Sequence, residues 1–287
     1  MANIALIADL KESRDMIVPK RINVQHRLSE IIEFANKVYR KEMKCELDFS
    51  GGDSIQGLFS SPSSALFCYI IIKSAIFPYE MRCGIGAGDI MEMSYKNSNM
   101  MDGPSYHNAR NVLLFSKNKG YEILFQSDSD GDRFINQYLV AAQAFMSKQS
   151  MKQQMIFHLV SLINPLMTAE TDMEAYNMGI HRFIERYSRI YGSEGEEIIG
   201  DYTIHNLGIG DCILTVPYLQ TSKSFDNNVF NFGKKTINRS TLTTISKILG
   251  VSSENIRQMV IKGDIEMIRS LLVSASLAAQ YFSGDKQ

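Results

Sequence analysis

The residues whose types and positions are best suited to chemistry are two aspartates. Asp9 ends a continuous apolar run, Ile4-Ala5-Leu6-Ile7-Ala8, and Asp53 closes the polar turn Ser50-Gly51-Gly52-Asp53. The run reads as a buried central strand. Adjacent glycines supply the positive φ that a tight hairpin turn needs. A strand-end carboxylate and a hairpin-tip carboxylate on neighbouring strands would face one another across a strand spacing. Two such charges repel unless a cation lies between them. Magnesium, or manganese in its place, prefers hard oxygen ligands: one or two carboxylates together with substrate phosphates. Ions held in this way activate a 3′-hydroxyl and stabilise a triphosphate leaving group. The carbonyl of Leu10 is a candidate further ligand, and Gly51 and Gly52 are candidate nucleotide contacts. Taken singly, Asp9 reads as a strand cap and Asp53 as a turn residue. The pair, in this order of elements, points to a metal site.

The elements that must position the pair follow from periodicity. Leu28, Ile31, Ile32, Ala35, Val38 and Tyr39 fall on one face at helical spacing. Cys45, Leu47 and Phe49 alternate with Glu46 and Asp48, as in a half-buried strand, and Ser54–Phe59 returns from the turn. An apolar helix over 65–76, a strand over 81–90, a helix over 106–117 and a strand over 121–126 complete the order β-α-β-β-α-β-α-β. Gly84, Gly86 and Gly88 share one face of their strand, which lets something approach closely there. This order predicts an α+β fold, a ferredoxin-like split βαβ sheet with helices covering one face.

The run Asp128-Ser129-Asp130-Gly131-Asp132 is a polar break, read as a linker turn rather than a calcium loop because no Glu stands at the required distance. Residues 133–192 read as mostly helical with an interruption at Asn164-Pro165, 201–219 as a candidate hairpin and 222–238 as a second linker. The expected divisions are 1–128 for the sheet domain, 129–238 for a mostly helical connector and 239–287 for a C-terminal helical domain.

That last segment, STLTTISKILGVSSENIRQMV from Ser240 to Val260, carries apolar residues at the core positions of a helix-turn-helix. Gly250 stands at the turn and Ser252 at the cap of the second helix. The second helix would present Ser253, Arg257 and Gln258, types that read base edges in DNA, with Lys262 and Arg269 available to phosphates. A helix made of Ile265, Ile268, Leu271, Leu272, Ala275 and Ala279 could form a dimer seam. Acidic neighbours, Glu254, Asp264 and Glu266, weaken the basic character of the face.

Composition limits the alternatives. A net charge of -1 over 287 residues gives no global basic field for nucleic acid. Cys45, Cys68, Cys83 and Cys212 lack metal-binding spacing and read as core thiols of a reducing compartment. The five histidines are scattered, so no zinc site is expected. No apolar stretch is long enough to span a membrane, and no basic segment precedes an apolar run at the start. The cytoplasm is the expected compartment.

Four segments, ADLKESR, SGGDSIQGLF, RCGIGAGDI and DGPSYHNAR, resemble the bacterial SatD family over about the first 128 residues. That family is in turn similar to class III nucleotidyl cyclases, and the Ser50–Ser54 hairpin also resembles GGDEF cyclases and the polymerase subunit of type III CRISPR complexes. The resemblance implies a nucleotide-cyclase-like palm domain binding a nucleoside triphosphate with Mg2+ or Mn2+. Asp9 and Asp53 would be the metal ligands, Arg110 would neutralise phosphate charge, and the homodimer would build the site. It leaves His107 as a phosphate contact and Asp102 as a base-reading acid. Family members often end in a helix-turn-helix. The chain departs from cyclases at Tyr106, where they carry Asn, and at Phe49, where adenylyl cyclases carry Lys. These departures favour a nucleotide-sensing, DNA-binding regulator as the alternative to an enzyme, with an interaction module carrying a relic site as a third reading.

Overall fold

The computed structural model describes residues 3–91, 98–192 and 237–284. Strand β1 (Asn3–Leu10) lies at the centre of a five-stranded sheet of order β2-β3-β1-β4-β5, with β2 at Met43–Phe49, β3 at Ser54–Phe59, β4 at Met81–Gly88 and β5 at Ile123–Gln126. It is antiparallel to β3 and β4, while β5 joins β4 in parallel. Helices α1 (Val18–Val38), α2 (Pro62–Ile76) and α3 (Pro104–Lys119) complete the expected alternation of elements. The order of the first four strands is that of the split βαβ, with β1 beside the β2–β3 hairpin.

One expectation is corrected. The helices do not cover a single face. Ile4, Leu6 and Ala8 of β1 pack with α1 and α2, whereas Ala5 and Ile7 pack with Tyr106, Ala109 and Leu113 of α3 on the opposite face. The cause is the glycine row on β4. A Cβ at Gly84 would lie 2.1 Å from the Ala109 carbonyl oxygen, and one at Gly86 2.2 Å from that of Ser105. The close approach foreseen at these glycines is therefore that of the α3 backbone, which could not seat itself over any side chain there.

Helix α2 is buried on every side. A helix apolar all round demands cover on both faces, and it obtains this from the sheet below and from helices of the C-terminal half above. That half comprises α4 (Asp132–Met146), α5 (Met151–Ile163), α6 (Met173–Gly179), α7 (His181–Gly192), α8 (Arg239–Leu249), α9 (Ser253–Lys262) and α10 (Ile265–Gly284), of which α5 and α10 pack most closely on α2. The break before α4 is a turn whose acids take protein donors: Asp132 accepts from the Ser127 backbone N–H at 2.7 Å, and Asp128 from Asn108 at 2.8 Å. One apolar cluster runs continuously from β1 to α10, so the segments read as separate from sequence share a core.

The dimer seam expected on α10 is also corrected. Ile265, Ile268, Leu272, Ala275 and Ala279 are buried within the same chain, and Ser276 Oγ meets Ser63 Oγ of α2 at 2.7 Å. Once α2 needs an upper cover, the apolar stripe of α10 is consumed inside the protomer. The free thiols Cys45, Cys68 and Cys83 are buried as expected. Cys212, His205, the candidate hairpin at 201–219 and nearly all of the second linker lie outside the described residues.

Candidate functional site

Asp9 is brought into the α3 face by strand alternation, since Ala5, Ile7 and Asp9 point the same way. The register sets Ser54 of β3 opposite it on one side and Arg82 of β4 on the other. The residue is only 8% exposed. Its Oδ2 is held by the Lys117 ammonium of α3, while Oδ1 is buried with no hydrogen-bond partner. The Arg82 Nε is likewise buried without a partner. A buried carboxylate oxygen without a donor is costly, of the order of 1–3 kcal/mol or more. Such an oxygen is a natural ligand for a hard cation, so the donor set here fits magnesium in kind.

The hairpin tip is built beside this carboxylate. Gly51 and Gly52 take φ of +106° and +69°, conformations that other residues rarely adopt. The Ser50 N–H donates to the Ser54 carbonyl at 2.8 Å and the Ser54 N–H to that of Gly51 at 3.3 Å. Ser54 Oγ donates to the Ala8 carbonyl at 3.3 Å, tying the hairpin to β1 one residue before Asp9. Gln25 of α1 donates to the Gly52 carbonyl at 3.2 Å, and the Arg21 guanidinium lies alongside. Asp53, half-buried, thus follows an anchored turn and directly precedes the residue paired with Asp9. Leu10 turns its side chain into the opposite core and pairs through its backbone with Met81.

The other sequence candidates are distributed along α3, which runs antiparallel to β4. Asp102 and His107 approach within 3.4 Å, each more than half exposed. They sit at the start of the helix, and His107 precedes Lys117 by ten residues, about 15 Å along the axis. Arg110 is exposed and two turns before Lys117, about 10 Å away. Tyr106 is fully buried and its hydroxyl has no hydrogen-bond partner. Burial pushes that hydroxyl well above the usual tyrosine range, with the Arg110 charge pulling weakly the other way. The structure therefore joins Asp9, the hairpin root, Arg82 and Lys117, and leaves Asp102 and His107 at the far end of the helix.

Lys117 is the site residue that the sequence reading missed. Its signal was available: it stands at the end of the spacing Tyr106, Arg110, Leu113, Lys117, a cation on the edge of the stripe by which α3 meets the sheet.

At the other end of the chain, Gly250 adopts the left-handed conformation at φ 65° between α8 and α9, and Ser252 Oγ caps α9 by accepting from the Asn255 N–H at 3.2 Å. Ser253, Arg257, Gln258 and Lys262 are exposed. Glu254 accepts from Gln258 at 2.9 Å and from Arg257 at 3.4 Å, contacts that hold its carboxyl below the usual range. Arg269 is corrected: it is 1% exposed and faces the core, where burial lowers its guanidinium to about 10, so it is not available to phosphates.

Among the described residues no helix is long and apolar enough to cross a membrane. Solved structures bear a slight likeness to the chain, three of them as follows. A bacterial light-regulated adenylyl cyclase shares 13% identity over 43% of this chain and 74% of its own, with a TM-score of 0.32. A second structure of a bacterial light-regulated adenylyl cyclase shares 16% over 44% of this chain and 43% of its own, with a TM-score of 0.34. The guanylyl cyclase Cya2 shares 16% over 40% of this chain and 70% of its own, with a TM-score of 0.29. At such scores none of them carries an argument. No curated protein matches the sequence. The model of the SatD family matches residues 3–176. That span takes in the Asp9 strand end, the glycine hairpin, the β4 glycine row and the start of α3, and it continues through α4 and α5 into α6. The chain belongs to the SatD family.

Proposed function

We propose that the Asp9 end of the sheet binds a nucleoside triphosphate together with Mg2+ or Mn2+. The observation that carries this reading is the buried Asp9 carboxylate, whose Oδ1 lacks any hydrogen-bond donor at the root of the Gly51-Gly52-Asp53 turn. Asp9 and Asp53 would hold the ion with help from the Leu10 carbonyl, and Gly51 and Gly52 would admit the nucleotide to the backbone. Bound there, the ion supplies the charge that acidifies a 3′-hydroxyl and neutralises a triphosphate leaving group. Arg110, exposed on α3, would meet phosphate charge as the long arm of the site. The product of turnover would be a cyclic nucleotide or an oligonucleotide.

A second reading, a nucleotide sensor without turnover, is favoured by one observation. Tyr106 fills the position of the transition-state Asn with a buried ring, so no amide is offered to a reacting phosphate. In this reading ligand binding biases the C-terminal helices, and α9 meets DNA through Ser253, Arg257, Gln258 and Lys262. A homodimer remains part of the proposal.

Incubation with each triphosphate and Mn2+, followed by chromatography, separates the readings. A new product that disappears in Asp53→Ala supports the enzyme. Metal-dependent thermal stabilisation by a triphosphate without product, lost in Asp9→Asn, supports the sensor. Neither effect in the wild type overturns the site. The DNA reading expects a salt-dependent mobility shift that Arg257→Ala abolishes, and is refuted by no binding at low salt.

A further inference from the structure

Lys117 of α3 meets Asp9 across the face of the sheet that α3 covers. Its Nζ bonds Asp9 Oδ2, and its side chain is 43% exposed while that of Asp9 is 11% exposed. One partner of this pair is thus fixed in the sheet and the other can leave to solvent. Among the described residues Lys117 is the one side chain paired with the Asp9 carboxylate, whose Oδ1 is buried without a hydrogen-bond partner. Lys117 is also placed at the last turn of α3, where a cation is favoured by the helix carbonyls and where no second acid among the described residues pairs with it. The α3 backbone is seated directly on the glycine row of β4, which fixes where the Lys117 side chain starts.

We infer that Lys117 is the resident cation of the Asp9 site, a positioning residue that a divalent metal must displace before it can bind. This rests on the reading of Asp9 as a metal ligand. Displacement leaves a released ammonium beside a newly bound ion, an excess of positive charge that a triphosphate removes. Metal and triphosphate therefore bind together and each poorly alone. The ammonium would turn from the carboxylate towards the phosphates, the ion would exchange bound water for carboxylate and phosphate oxygens, and no covalent bond of protein or nucleotide would be made or broken. Lys117 in this way prevents the site from filling with metal in the absence of its nucleotide.

The test is Mn2+ binding followed by electron paramagnetic resonance on the full chain, with and without a non-hydrolysable triphosphate. The variants are Lys117→Met, Lys117→Gln and Asp9→Asn. Lys117→Gln keeps a donor for Asp9 and guards against loss of fold in the methionine variant. Without triphosphate, both Lys117 variants are expected to bind Mn2+ about fivefold more tightly than wild type, the worth of a half-exposed ion pair. The enhancement of Mn2+ binding by triphosphate is expected to shrink in both. If both folded variants bind Mn2+ as weakly as wild type, while Asp9→Asn abolishes binding promoted by triphosphate, the displacement idea is overturned and the metal site stands. If neither the Lys117 variants nor wild type with triphosphate binds Mn2+, the metal site itself fails, and the inference with it.

Discussion

Substitution of Gly86 by alanine probes the contact that brings α3 over the sheet. The new Cβ would sit 2.2 Å from the Ser105 carbonyl oxygen and 2.3 Å from the Ala109 nitrogen, and ordinary contact begins at 3.4 Å, so the helix must retreat by more than an ångström. Both colliding atoms are backbone, which cannot rotate away. Overpacking of this kind costs about 1–3 kcal/mol, and this rigid case belongs at the upper end. The smaller backbone entropy of alanine in the unfolded chain offsets about 0.4–1 kcal/mol. The net loss expected is about 2 kcal/mol, or roughly 4 °C in Tm for a chain of this size. Urea unfolding followed by far-ultraviolet circular dichroism reads it directly. Gly57→Ala is the control, because its Cβ meets the movable Leu47 Cδ2 at 2.9 Å and only then the Leu47 backbone at 3.2 Å. The control is expected to lose less than about 1 kcal/mol. A Gly86→Ala protein as stable as Gly57→Ala would refute the claim that the glycine row exists to seat α3.

Two further outcomes concern pH. His158 is buried against Phe77 with Nδ1 3.1 Å from Ser74 Oγ, and burial, then the nearby Lys73 charge, hold it well below its ordinary range. Its folded state stays neutral while the unfolded imidazole takes a proton below about pH 6.5. Stability is therefore lost on acidification at up to about 1.4 kcal/mol per pH unit, and His158→Phe should flatten this slope in chemical denaturation between about pH 6.5 and 5. Glu42 is buried against the loop before α6, accepting from Thr168 at 2.5 Å and Thr171 at 2.8 Å, and burial raises its carboxyl despite those bonds. A raised carboxyl favours the folded state below the unfolded value and loses that contribution as pH rises through the folded one. Glu42→Gln is thus expected to gain stability relative to wild type from pH 4 to pH 7, whereas Glu42→Ala, which removes the acceptor of both threonine hydroxyls and leaves them only each other, should lose about 1–3 kcal/mol.

Much of the sheet domain was legible from periodicity alone. An apolar run ending in Asp9, a Gly-Gly turn and two amphipathic spacings dictate a strand, a hairpin and their covering helices, because burial and φ restrictions act over a few residues. The places of Asp9 and Asp53, at a strand end and in a hairpin turn, were legible for the same reason, since both elements are locally determined. In the C-terminal part, Gly250 and Ser252 marked the turn and the cap correctly, since these too are local demands of the backbone.

What the tertiary structure decided was which surfaces meet. The glycines of β4 announced a close approach without saying of what, and only the fold shows α3 on the face opposite α1 and α2. That crossing brings Lys117, 108 residues along the chain from Asp9, into contact with it. The apolar stripe of α10 would suit a partner or a core equally, and the doubly buried α2 claims it for the core. Arg269 reads as a surface cation and is instead enclosed. Apolar periodicity says that a face must be covered, but the covering element is selected by packing among distant segments, and short-range pattern carries no record of that choice.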